Sequence, residues 1–95
     1  MSAGFAFDWD EANTSHLARH NVSRVEAEQA FLNDPVEIDY QFVDEEERFI
    51  AIGATGGARF LAIVYTMRGK AVRIVTAFDA SARDRERYFE AKEAF

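Results

Sequence analysis

Between Val36 and Phe78 the chain passes through four stretches of strand character separated by very short turns, and this constrains the fold more than any other feature. Val36, Ile38, Tyr40 and Phe42 recur at period two with Glu37, Asp39 and Gln41 between them, which places the four apolar side chains on one face of a half-buried strand. Arg48–Ala54, Arg59–Met67 and Ala71–Phe78 follow, joined by turns at Thr55-Gly56-Gly57 and Arg68-Gly69-Lys70. Glu45, Glu46 and Glu47 cluster in the turn before them. Connections this short cannot hold a crossover, so successive strands are antiparallel neighbours. Gly53, Gly56 and Gly57 do not form a phosphate loop, because the spacing differs and a strand follows them.

Upstream, Phe5, Phe7 and Trp9 alternate with Ala6 and Asp8 and predict a short first strand. Asp10 is placed to cap a helix running to about His20, with Asn21 in the left-handed position that ends it. Asn13, His16, Leu17 and His20 share one face of that helix. Ser23 and Glu26 have the spacing of a capping box, and Val22 and Ala27 that of a hydrophobic staple. Ala27, Ala30 and Phe31 form the second helix's buried stripe, and Asn33-Asp34-Pro35 stops it. Ser81 and Asp84 open a closing helix that offers Tyr88, Phe89 and Phe95 for docking. The expectation is one α+β domain over residues 1–95 in the order βααββββα. Two N-terminal helices and one C-terminal helix pack on a four- or five-stranded antiparallel sheet.

Composition narrows the function classes. No cysteine is present, which removes disulfides, thiolate metal sites and thiol nucleophiles and fits a reducing, cytoplasmic setting. No apolar run approaches the roughly 20 residues that span a bilayer, so no membrane role is expected. A net charge of -6 opposes unselective attraction to phosphate backbones, leaving nucleic acid only a local basic patch.

Two constellations carry chemistry. His16 and His20 stand four residues apart, flanked by Trp9 and Asn13, and histidine as a residue type can act as general acid or base near neutrality. Two histidines are too few ligands for zinc, so no metal and no cofactor is expected. Arg68, Lys70 and Arg73 cluster on the last hairpin, with Arg59 as a further member. Their donors suit phosphate oxygens. The plainer readings are packed histidines at a helix–sheet boundary and a solvated strand edge. Arg83, Arg85 and Arg87 read as a salt-bridged helix surface.

The chain resembles the BrnT-like toxin family (DUF497), in a histidine-bearing subgroup. The likeness is carried by Trp9-Asp10-Glu11-Ala12-Asn13, by His16 through Ser23, and by Glu26, Glu28 and Phe31. It continues through Arg48–Gly53, Arg59–Thr66, Arg68-Gly69, Arg73–Ala77 and Ala80–Tyr88. The resemblance implies a RelE-like fold and the toxin half of a bacterial type II toxin–antitoxin pair, a metal-independent ribonuclease that inhibits translation. It implies an adjacently encoded BrnA-like antitoxin as partner, DNA contact only through that antitoxin, and a homodimer when the antitoxin is absent. Within it, His16 or His20 would serve as acid or base, and Arg73, with Arg68, would stabilise phosphate charge. Trp9, Asn13, Arg59 and Lys70 would contact RNA. Phe78 stands where such toxins often carry arginine, so the alternative is a degenerate member that survives as a protein-binding module. A metal-binding or small-molecule domain built on the two histidines is a third.

Overall fold

The computed structural model describes residues 6–93. The elements are β1 (Ala6–Phe7), α1 (Glu11–Arg19), α2 (Arg24–Leu32), β2 (Val36–Val43), β3 (Glu46–Ala54), β4 (Phe60–Arg68), β5 (Ala71–Asp79) and α3 (Ala82–Glu93). The order βααββββα is the one expected. Phe5 and Phe95 lie outside the described residues.

One five-stranded sheet, in the order β1-β5-β4-β3-β2, separates two layers of helix. Its β2–β5 meander is antiparallel, as the short turns require, but β1 pairs with β5 in parallel, so the sheet is mixed rather than wholly antiparallel. The two helices between β1 and the meander carry the chain back before β2 starts, which frees β1 to run alongside β5. α1 and α2 cover one face, where Leu17, Val22, Ala27 and Ala30 pack on Leu61, Ile63, Val72, Ile74 and Ala77. α3 covers the other, with Tyr88 on Ile52 and Ala62 and with Val36, Ile38, Phe60 and Phe78 around them. Each of the fully buried leucines, isoleucines and valines among them contributes about 1.5–3 kcal/mol.

The cap signals act where they were read. Ser23 and Glu26 form a reciprocal capping box, Asn21 has φ 56°, and Val22 and Ala27 are both buried. Asp10 caps α1, and Asn13 closes the box by accepting from the Asp10 N–H. At Gly53 a Cβ would overlap the Ala30 carbonyl, so α2 rests directly on β3 because that side chain is absent.

Two bulges depart from simple alternation. The β2–β3 register shifts between Glu37 and Asp39. Val36 and Ile38 therefore join the α3 side, whereas Tyr40 turns to the opposite face against Phe49, and the single apolar face expected for this strand is split. A second shift, opposite Val64 and Tyr65, leaves Val75 of β5 without a Cα partner in β4. The acidic turn is shorter than expected: Asp44 and Glu45, with φ 51° and 61°, make it, while Glu46 and Glu47 already belong to β3. Among the described residues no helix is long and apolar enough to cross a membrane.

Candidate functional site

β1 covers β5 only at Ala71 and Val72, so the rest of that edge needs other partners for its backbone. Side chains of α1 supply two of them. Asn13 Nδ2 donates to the carbonyls of Ile74 (3.1 Å) and Asp8 (2.8 Å), and His16 Nδ1 lies 3.3 Å from the Val75 carbonyl. Asn13 is 2% exposed and its amide is fully engaged, so it holds the site together from within.

Arg73 projects from the sheet face opposite Val72 and Ile74, at the end that faces the α1 N-terminus. Its side chain is only 11% exposed. Nη2 donates to Asp10 Oδ1 at 3.1 Å, and Nη1 lies 3.0 Å from Asp10 Oδ2 and 3.7 Å from Asp8 Oδ2. Nη1 is buried without an aligned hydrogen bond, so its partners act through charge alone. Beside it, Arg68 reaches Asp8 at 4.0 Å and Glu46 at 3.7 Å. Hydrogen bonding from Arg73, followed by that from the Asn13 backbone, holds the Asp10 carboxyl below the usual carboxylate range. The expected basic patch is thus interleaved with three carboxylates. No sequence pattern marks Asp8, since its side chain meets Arg73 only because β1 lies against β5. Lys70 stands exposed on the β4–β5 turn.

The two histidines have separate neighbours. His16 is fixed near Val75, two residues from Arg73 along β5, or roughly 7 Å of strand. His20 ends α1, its ring 5.6 Å from that of Phe78, next to Asp79. Five residues, roughly 16 Å of strand, separate Phe78 from Arg73. The structure therefore brings Arg68 and Arg73 together around Asp8, while His16 and His20 stay on α1, which packs on the other face of the sheet, with His16 meeting β5 nearer to Arg73 than His20 does.

Arg59 belongs to the His20 end and is structurally committed. It bonds Asp79 Oδ1 at 2.7 Å and Glu26 at 3.2 Å, and donates to the carbonyls of Asn21 (2.8 Å) and His20 (3.3 Å). Bonding from Arg59 lowers the Asp79 pKa, and the Ser23 N–H, with Arg59 behind it, lowers that of Glu26. No sequence pattern marks this network, because its members come from four separate segments. Trp9 Nε1 donates to Glu28 at 2.7 Å, and the Arg24 guanidinium lies 5.9 Å from its ring, which pins the start of α1 to α2.

No curated protein matches the chain. A family model described as "Ribonuclease toxin, BrnT, of type II toxin-antitoxin system" matches residues 9–84, which contain α1, α2, the whole meander and every side chain just described except Asp8. The chain therefore belongs to the BrnT family of type II toxin–antitoxin ribonuclease toxins.

Proposed function

We propose that this protein is a bacterial toxin that cuts RNA without a metal, using its own histidines for proton transfer and Arg73 with Arg68 for charge stabilisation. The supporting observation is the neighbourhood of Arg73. A nearly enclosed guanidinium stands beside a second arginine, with His16 anchored two residues away along the same strand. In the reaction a ribose 2′-hydroxyl loses its proton to the base and attacks the adjacent phosphorus. The 5′-oxygen leaves with a proton from the acid, giving a 2′,3′-cyclic phosphate and a 5′-hydroxyl. Arginine donors hold the charge that gathers on the phosphoryl oxygens, and losing one such donor costs about a hundredfold to a thousandfold in rate. His16 or His20 serves as acid or base, and His16 meets β5 nearer to the arginines. The phosphate takes Arg73 from Asp8 and Asp10, which keep the guanidinium in position beforehand.

The remaining expected contacts divide by geometry. Lys70 is the exposed cation that draws RNA to the hairpin, whereas Asn13, Trp9 and Arg59 hold the frame on which the site is built. The protein acts in the cytoplasm, is restrained by a BrnA-like antitoxin, reaches DNA only through it, and dimerises in its absence. The fold is of the RelE kind.

Two observations favour a second reading, a catalytically degenerate module that only binds its partner. Asp8, Asp10 and Glu46 neutralise both arginines, and Phe78 packs against His20. Induced expression in a bacterium separates the two readings. Growth arrest with RNA decay, relieved by Arg73→Ala or His16→Ala, is expected of the ribonuclease; normal growth with intact RNA at high expression would leave the binding module.

A further inference from the structure

The sheet face beneath α1 and α2 is covered over only part of its width. α2 ends at Leu32, and past it the β2–β3 hairpin runs on uncovered. Tyr40 is 50% exposed and Phe42 63%, with Leu32 and Met67 close to half. These side chains rim a continuous aromatic surface. Tyr40 meets Phe49 at 5.5 Å between ring centroids, Phe49 stacks on Tyr65 at 5.4 Å, and Tyr65 meets Phe31 edge-on at 5.0 Å. Beside α2 the surface dips into a groove of about 510 Å³ whose walls include Phe31, Leu32, Pro35, Glu37 and Tyr65. Burial there, with Glu37 accepting from its hydroxyl at 2.6 Å, pushes the Tyr65 pKa well up. An exposed apolar surface of this extent on so small a domain marks an interaction site.

The charges on this face select its occupant. Glu37 stands in the groove wall, Glu47 accepts from Tyr40 Oη at 3.2 Å, and Glu45 flanks Phe49 and Met67 at the hairpin tip. Carboxylates around an aromatic floor repel RNA phosphates. A second copy docked face to face would bring the same acids against one another. A chain with an apolar stripe and lysines or arginines on its flanks meets both features, since the stripe fills the groove while the cations reach the rim.

We propose that this face docks an amphipathic, basic-flanked segment of a partner protein, seated on Tyr40, Phe42 and the groove at Tyr65. The inference deepens the toxin–antitoxin pairing by assigning the surface that the partner covers, and it rests on that pairing. It also separates that surface from Arg73, which projects from the opposite side of the sheet.

The test is calorimetric titration of the purified chain with the protein encoded beside it. Phe42→Ser and Glu47→Lys are each expected to weaken binding about tenfold or more while melting and RNA cleavage stay unchanged. Binding of the unsubstituted chain should weaken with salt, and less steeply once Glu47 is replaced. Both residues are exposed, so folding is not at stake, and Tyr40→Ser supplies a further variant. Full affinity in all three would overturn the assignment. So would a dimer of the isolated chain that Phe42→Ser dissolves, which would give the face to a second copy. No binding by the unsubstituted chain would remove the pairing itself, an outcome distinct from affinity that falls only on substitution.

Discussion

Replacing Asn13 by alanine should destabilise this domain strongly although the residue is polar and lies outside its apolar core. The side chain makes three hydrogen bonds in a buried setting, accepting from the Asp10 N–H and donating to the carbonyls of Asp8 and Ile74. Each bond contributes about 1 kcal/mol net, and leaving buried partners unsatisfied costs about 1–3 kcal/mol per group. Asp10 N is near solvent, so the loss comes chiefly from the two carbonyls and totals about 3–4 kcal/mol. A domain of this size has roughly 5–15 kcal/mol in all. The expected fall in melting temperature is about 12–25 °C, read by circular dichroism. Asn13→Asp should fare no better at neutral pH, because a carboxylate would face two carbonyl oxygens without a proton to donate. Its buried carboxyl would have a raised pKa, so the damage should lessen as the pH falls through that value and a donor is restored. A drop of under about 5 °C in the alanine variant would refute the view that Asn13 seals α1 onto the free edge of β5.

Gly53→Ala should lose about 1–3 kcal/mol in denaturant melts, towards the upper end, because the added carbon meets the Ala30 backbone rather than a side chain that can move; an unchanged midpoint would contradict the close packing of α2 on β3. Asp79 and Glu26 have depressed pKa values in the folded state, so their contribution is present above the ordinary carboxylate range and lost as pH falls through the depressed values. The melting temperature should therefore decline below about pH 4, and less steeply in Arg59→Met, with parallel curves counting against the network. For cleavage, His16→Gln should cost more rate than His20→Gln, since His16 meets β5 at Val75, nearer to Arg73 along the strand than Phe78, where His20 sits; the reverse order in single-turnover assays would move the chemistry to the Phe78 end.

What could be read from the chain was local. Ser23 with Glu26, Asp10, and Asn21 at its left-handed turn are signals that span three or four residues, and the short turns between strands leave only one way to pair them. The bulge at Glu37–Asp39 escaped because the alternation through Phe42 is unbroken in sequence; only the register with β3 reveals the change of face. The candidate site was half legible. Residue types identified Arg73 and the histidines, but the distance between His20 and Arg73 depends on α1 lying along β5. The carboxylates that hold Arg73, Asp8 and Asp10, stand between β1 and α1, and they reach it because β1 pairs in parallel with β5, which no local pattern specifies. Asn13 and Arg59 look like ligand-facing polar groups until their partners are known, and those partners are mostly backbone carbonyls and acids far away in sequence.

The most direct test of the arginine-centred site is cleavage of a single-stranded RNA by the purified chain and by Arg73→Gln, with both shown to be folded at the assay temperature. The unsubstituted chain should yield 2′,3′-cyclic phosphate ends, and Arg73→Gln should cut about a hundredfold more slowly or worse. Equal rates for the two proteins would contradict the assignment of the site to Arg73, and no cleavage by either would contradict the ribonuclease reading itself.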